Sequence, residues 1–154
     1  MATMEQKKAN RLRLTNYILA ALGDGLWKVM GESAVGLTTI FGKSILSVME
    51  KEMGLELAGE SVEDWAAEIG RLLVDEFDVG TEFRVEVSDD SVSVYAEGCM
   101  FAQVYEALEA AGVPAYICPV RAIYGAALRQ LGEKVRLGAV ERDGDKCSMT
   151  FVYF

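Results

Sequence analysis

Residues 82–95 have the sequence EFRVEVSDDSVSVY, in which apolar and polar residues alternate on both sides of Asp89-Asp90. Alternation with a period of two predicts β-strands that bury one face. The paired aspartates between the two runs indicate a tight connection, so residues 82–95 are predicted to form a β-hairpin. This hairpin decides the fold class, because it places an antiparallel sheet in a chain that otherwise favours helices.

A second hairpin is predicted at the carboxyl end of the chain. Val135, Leu137 and Ala139 alternate with polar residues or glycine, and a last strand is predicted over Lys146–Phe154. Asp143-Gly144 between them is a strong two-residue turn signal. The two hairpins together predict a four-stranded antiparallel sheet.

The remaining segments have helical periodicity. Apolar residues of the first segment recur at Leu12, Leu19, Leu22, Leu26 and Met30, with Tyr17, Ile18 and Trp27 beside them. The predicted helices are Leu12–Met30, Ser33–Met53, one that starts after a Ser61 cap, Phe101–Ala111, and Val120–Leu131 with Pro119 in its first turn. The order α-α-α-β-β-α-α-β-β predicts an α+β fold in which helices cover the sheet.

The length of 154 residues predicts a single domain over 1–154, with a helical part at 1–80 and a sheet-rich part at 81–154. The net charge of −9 argues against nucleic-acid binding, which needs a basic surface to meet phosphates. No segment has the length and apolarity of a membrane span or a signal peptide. Three widely spaced cysteines do not form a secreted disulfide pattern, and we therefore expect a cytoplasmic protein.

A glycine-rich segment, Gly36–Ser44, superficially resembles a phosphate-binding loop. It has five residues between its glycines where a true loop has four, and it lies within a helical pattern with no strand before it. We expect no nucleotide, and interpret Gly36 and Gly42 as positions where two helices, or a helix and a ligand, approach closely.

The chain has no histidine and three cysteines, Cys99, Cys118 and Cys147. Without histidine it lacks the commonest general base and the usual haem ligand, so we expect no haem. The cysteines have three interpretations: inert core thiols, a catalytic thiol beside Arg121 or Lys146, or ligands of a zinc ion. Glu141, across the predicted turn from Cys147, would supply an oxygen ligand.

Residues 95–154 resemble the 4-vinyl reductase domain family of small-molecule and hydrocarbon-binding domains. The resemblance is carried by Cys99 after a strand, by Cys118-Pro119 leading to Gly125, and by Glu141 before Cys147-x-x-x-Phe151. It implies an α+β fold with an apolar ligand cavity, and in many members a dimer. It also implies zinc ligands at Cys118, Glu141 and Cys147. The chain lacks the second hairpin cysteine of that pattern, so Cys99 would have to complete the set.

The first functional hypothesis is a domain that binds or senses a hydrophobic or aromatic small molecule in such a cavity. The alternative for the same aromatic side chains is a solid core, since aromatic residues at these spacings usually pack together. The candidate wall residues are Trp27, Met30, Tyr95, Phe101, Tyr105, Tyr116, Tyr124 and Met149.

Two other functions remain open from the sequence. One is a reductase-like or thiol-dependent enzyme, although no nicotinamide fingerprint or acid–base pair is present, so we favour binding over catalysis. The other is a structural module in which the long N-terminal helices form the interface of a homodimer.

Overall fold

The computed structural model describes all 154 residues, and its elements follow the predicted order. The helices are α1 (Met4–Met30), α2 (Leu37–Glu52), α3 (Val62–Arg71), α4 (Ala102–Ala110) and α5 (Pro119–Leu131). The strands are β1 (Glu82–Val87), β2 (Ser91–Glu97), β3 (Val135–Asp143) and β4 (Lys146–Tyr153). The α+β prediction, with a helical N-terminal half, is confirmed.

Helix α1 begins eight residues before the predicted start at Leu12. Thr3 caps it: its side chain accepts a hydrogen bond from the Gln6 backbone, and the Gln6 side chain accepts one from Thr3 N. This reciprocal cap satisfies two amide groups that the first turn leaves without partners. The polar residues that follow remain helical although they carry no apolar periodicity.

The second predicted helix, Ser33–Met53, is two segments in the structure. Residues 31–36 form a 3₁₀ helix, and α2 follows from Leu37. The backbone of Gly31 has φ of 58°, a left-handed conformation that ends α1 at Met30, as predicted.

The four strands form one antiparallel sheet in the order β1-β2-β4-β3. Val92 and Val94 of β2 lie opposite Phe151 and Met149 of β4, and all four side chains are buried. Their neighbours in sequence, such as Tyr95, therefore project from the other face, because side chains alternate along a strand. Helices α3 and α5 contact the sheet.

Helix α5 is buried along ten consecutive residues, from Pro119 to Leu128. Its neighbours approach through glycines. A Cβ atom on Gly42 of α2 would lie 2.7 Å from the carbonyl carbon of Ala122, and one on Gly125 would lie 3.1 Å from the Phe151 ring. The interpretation of Gly42 as a site of close helix approach is confirmed, whereas Gly36 has no atom near its would-be Cβ.

The chain divides into two compact units. The first contains residues 1–38 and 100–118, and the second contains residues 39–99 and 119–154. In the first unit, buried Asn16 of α1 donates a hydrogen bond of 2.6 Å to the carbonyl of Met100, just before α4. The predicted parts, 1–80 and 81–154, do not coincide with these units, because α4 packs with α1.

None of the helices combines the length and the apolarity that crossing a membrane requires.

Replacing Gly42 by alanine is expected to destabilise the protein by about 3 kcal/mol, since the new methyl group meets backbone atoms that have no rotamer to change. Gly36→Ala is the matched control and is expected to change the free energy of unfolding by less than about 0.5 kcal/mol. Urea denaturation of the two variants measures the difference. Equal effects would show that α2 does not depend on the close approach.

Two buried tyrosines differ in whether their hydroxyl groups form a hydrogen bond. Tyr116 OH donates a 2.7 Å hydrogen bond to the carbonyl of Gly23, whereas Tyr124 OH has no hydrogen-bond partner. We therefore expect Tyr116→Phe to cost about 1 kcal/mol of stability and Tyr124→Phe to cost nothing or to stabilise slightly. Thermal unfolding of both variants tests this. A larger loss for Tyr124→Phe would mean that its hydroxyl has a bound partner such as a water molecule.

Candidate functional site

A cleft of about 450 Å³ lies on the face of the sheet opposite the buried valines. A row of side chains crosses all four strands there, since Arg84 pairs with Tyr95, Tyr95 with Ser148, and Ser148 with Glu141. The pleat places these directly opposed residues on the same face. The full lining is Glu82, Arg84, Tyr95, Ala96, Glu97, Glu141, Arg142, Asp143, Lys146, Cys147 and Ser148.

The basic side chains of the cleft already have partners. The Arg84 guanidinium lies 4.3 Å from the centre of the Tyr95 ring and forms an ion pair with Glu86. Lys146 Nζ lies 4.0 Å from a carboxylate oxygen of Glu97, and Arg142 Nε donates to the carbonyl of Gly144 at 3.2 Å. Arg84 and Lys146 are thus paired with carboxylates, whereas the neutral carbonyl of Gly144 does not neutralise the charge of Arg142.

Three carboxylates of the cleft, those of Glu82, Glu141 and Asp143, form no ion pair. All three side chains are exposed at the rim. The lining contains four carboxylates and three basic side chains, so the cleft has a small excess of negative charge.

Tyr95 occupies the centre of this site. Its hydroxyl donates a 3.2 Å hydrogen bond to the second carboxylate oxygen of Glu86, and its ring lies beneath Arg84. Arg84, Glu86 and Tyr95 thus hold one another in place on adjacent strands. The tyrosine provides a fixed aromatic surface next to the acidic rim.

The predicted zinc ligands do not come together. No group of three cysteine, aspartate or glutamate side chains is close enough to hold a metal ion. Cys118 belongs to the first compact unit, whereas Cys99 and Cys147 belong to the second. Glu141 pairs with Ser148 while Cys147 pairs with Ala96, so the side chains of Glu141 and Cys147 leave the sheet on opposite faces. The three cysteines form no disulfide.

The predicted wall residues separate into several environments. In the first unit, the rings of Trp27 and Tyr116 lie 5.7 Å apart, and Met30 is exposed. Phe101 and Tyr105 line a cavity of only about 20 Å³, together with Cys118. A cavity of that size holds one water molecule.

In the second unit, Met149 is buried in the core and Tyr95 lies in the cleft on the other face of the sheet. Tyr124 borders an apolar cavity of about 10 Å³. Burial raises the pKa of the Tyr124 phenol well above its ordinary value, so the hydroxyl is neutral at any physiological pH. None of these cavities has room for a hydrocarbon ligand.

Sequence reasoning did not identify Glu82, Arg84 and Asp143 as residues of a site, and it considered Lys146 only as a basic neighbour of a catalytic thiol. The signal was present in the alternating pattern of the strands, which places the charged residues of both hairpins on the face away from the core. What the pattern lacked was the strand order, because only the pairing of β2 with β4 brings the two hairpins side by side.

A family model described as "Putative rubredoxin C-terminal domain" matches residues 15–152 of the chain. A search of curated proteins finds no match.

Solved structures of H-NOX domains have a similar arrangement. An H-NOX mutant from T. Tengcongensis is 11% identical with a TM-score of 0.46, and the match covers 84% of this chain and 68% of that one. An oxygen-binding H-NOX domain related to soluble guanylate cyclases is 12% identical with a TM-score of 0.45, over 84% of this chain and 66% of that one. A structure described as probing heme distortion in the H-NOX family is 11% identical with a TM-score of 0.44, over 84% and 66%. The chain thus spans about two thirds of these structures, and likeness this weak carries no argument about function.

The cofactor prediction, zinc and no haem, is contradicted. The finding that overturns it is the family description, which names a rubredoxin and not a zinc protein. The strand register removes the geometric basis for zinc as well, since Glu141 and Cys147 lie on opposite faces.

The residues of this chain do not fit an iron–sulfur centre of the four-thiolate kind. Such a centre takes four cysteine ligands, and the chain has three cysteines that do not converge. The match over residues 15–152 nevertheless covers nearly the whole chain. The chain therefore belongs to the family described as "Putative rubredoxin C-terminal domain".

Proposed function

We propose that this chain is a ligand-binding domain, that its site is the cleft on the open face of the sheet, and that the ligand is a small organic cation. The observation that carries the proposal is the imbalance of charge in the cleft. Its basic side chains are engaged with neighbouring groups, while Glu82, Glu141 and Asp143 have no ion-pair partner.

The size of the cleft supports a small-molecule ligand. Its volume of about 450 Å³ lies within the usual range for small-molecule sites, roughly 300–1,000 Å³. The cleft is half open, so part of a bound molecule would remain in water. We expect modest affinity, since an exposed ion pair contributes at most about 1 kcal/mol.

The Tyr95 ring adds a preference for a flat or apolar group beside the cationic one. Cations are attracted to the face of an aromatic ring, and Arg84 already uses one such contact. An aromatic amine would place its ammonium group at the carboxylate rim and its ring near Tyr95. This keeps the aromatic part of the sequence-based ligand prediction, whereas a purely hydrophobic ligand finds no support in the small internal cavities.

The cysteines of this chain, and not the family description, favour binding over iron chemistry. A domain named as carboxyl-terminal to a rubredoxin need not itself contain the rubredoxin iron, and the chain lacks the thiolates to hold it. We propose that it contributes ligand recognition in that setting. The resemblance to 4-vinyl reductase domains and the cytoplasmic location stay predictions.

The test is calorimetry and thermal unfolding with three ligands of equal size: benzylammonium, benzyl alcohol and benzoate. We expect benzylammonium alone to bind, to raise the melting temperature, and to bind more weakly as salt is added, because ions screen exposed charges. Equal stabilisation by benzoate or benzyl alcohol would contradict the charge argument.

Replacing Glu141 by glutamine is expected to weaken benzylammonium binding about fivefold, which corresponds to about 1 kcal/mol for one exposed ion pair. Glu60→Gln removes an exposed carboxylate of the same unit outside the cleft and is the matched control. Titration calorimetry measures both variants. The cleft is not the site if Glu60→Gln weakens binding as much as Glu141→Gln does.

A further inference from the structure

Helix α1 presents one long exposed face that is basic in its first turns and apolar afterwards. At about 100° of rotation per residue, Lys7 and Arg11 fall in the same sector, about 80° wide, as the apolar residues that follow. Those apolar side chains have exposed fractions from 53% to 85%, and they are Leu14, Ile18, Leu22 and Val29. From Lys7 to Val29 the face is about 33 Å long, at 1.5 Å per residue.

No carboxylate lies in this sector. The acids of α1 are Glu5 and Asp24, and the same rotation places both of them about 80° or more outside its edges. Asp24 is also neutralised within its own helix, since its carboxylate oxygen lies 2.6 Å from Lys28 Nζ. The exposed face therefore carries cationic and apolar groups and nothing negative.

The basic side chains at the start of the face have no acidic partner. Lys7, Lys8 and Arg11 form no ion pair, and the residues before Leu12 are all exposed. The first unit contains five basic and five acidic residues, so the net charge of −9 lies entirely on the second unit. The family match begins at residue 15, which leaves these basic turns outside it. They form a positively charged extension of an otherwise acidic chain.

The opposite face of α1 anchors the helix to the first unit. Its buried positions are Asn16, Ala20 and Gly23. A Cβ atom on Gly23 would lie 2.7 Å from the Ile117 side chain, so this face is tightly packed. The exposed face can therefore contact another surface while the packing of the first unit stays intact.

We propose that the exposed face of α1 binds the surface of an anionic membrane, with the helix lying in the plane of the bilayer. The lysine and arginine side chains contact acidic headgroups, because an anionic leaflet attracts basic segments. Their alkyl stems keep the charged groups at headgroup level. The apolar side chains of the later turns enter the boundary between headgroups and acyl chains, as they do in helices that bind at this interface.

The order of charge and apolar surface along the face favours lipid over two other occupants. A nucleic acid would pair with the basic turns and leave Ile18 and Leu22 in water, because phosphate contacts bury no apolar side chain. A second copy, antiparallel about Ile18, would place Val29, the most exposed apolar side chain of the face, against Lys7. A membrane accepts both parts of the face and requires no matched shape.

The first test is flotation of the full chain with vesicles of phosphatidylcholine, with and without phosphatidylserine. We expect binding to the vesicles that contain phosphatidylserine and binding about tenfold weaker or less on phosphatidylcholine alone. Added salt is expected to reduce the binding, because ions screen exposed charges. A chain that floats with neither vesicle, or equally with both, would overturn the proposal.

The basic part of the face is tested by Lys7→Gln combined with Arg11→Gln. We expect about 25-fold weaker binding to the phosphatidylserine vesicles, since each basic residue near an anionic surface contributes about fivefold. Lys43→Gln combined with Lys51→Gln removes two exposed lysines of α2 and is the matched control. An equal loss in the two double variants would mean that α1 is not the membrane contact.

The apolar part is tested by Ile18→Gln combined with Leu22→Gln, which removes apolar area and adds no charge. Binding is expected to fall about tenfold or more. Ile40→Gln combined with Val48→Gln is the control, since these α2 side chains are 65% and 51% exposed. Benzylammonium binding and circular dichroism are expected to stay unchanged in both, so loss of vesicle binding and loss of ligand binding are separate outcomes. Equal losses on vesicles would contradict the insertion of α1.

The homodimer expected from the sequence is the other occupant to test. A dimer seen by sedimentation and disrupted by the Ile18→Gln and Leu22→Gln pair, in a chain that does not float, would assign the face to self-association and overturn the proposal. Lipids brominated on their acyl chains report the depth of single positions. We expect them to quench the added fluorescence of Ile18→Trp and not that of Ile40→Trp, and equal quenching would show that α1 does not face the bilayer.

Discussion

The contact between Gly42 of α2 and Ala122 of α5 is the constraint on which the second unit depends. A carbonyl carbon 2.7 Å from the position of a would-be Cβ leaves no space for any side chain, so only glycine allows α2 to lie this close. The close approach lets α5 be buried along ten residues. Two further glycines allow its neighbours to lie close. The Tyr124 hydroxyl is 3.6 Å from the position that a Cβ of Gly70 in α3 would occupy, and Gly125 lies beside Phe151 of the sheet. Packing at this density makes α5 intolerant of added volume.

The placement of α3 and α5 decides which face of the sheet is available for function. Both helices contact the sheet, and the valines of β2 are fully buried. Because strands alternate strictly, burial of Val92 and Val94 forces Ser93, Tyr95 and Glu97 onto the other face. The polar cleft is thus a consequence of the same alternation that forms the core.

Much of the fold could be predicted from the sequence, because alternation, helical periodicity and turn signals are local. The second hairpin shows the limit for the site. Glu141 and Cys147 are neighbours across the Asp143-Gly144 turn, and the sequence suggested a shared metal. In the paired strands Glu141 lies opposite Ser148, the residue after Cys147. The side chains of Glu141 and Cys147 therefore project from opposite faces of the sheet. The register of a hairpin follows from the length of its turn, here Gly144-Asp145 between the paired residues Asp143 and Lys146.

Helix α1 shows a second limit of pattern reasoning. Its apolar residues are spread over most of the helix circumference, and large side chains alone would place Leu22 and Ile18 inside. The structure instead buries Asn16, which hydrogen-bonds to the Met100 carbonyl, and Gly23, which admits Ile117. A small residue allows a neighbouring segment to approach more closely than a leucine does, so close packing outweighed apolar area on that face. Asn16 is only partly satisfied there, because its Oδ1 has no hydrogen-bond partner. The larger side chains of Ile18 and Leu22 are thereby left exposed.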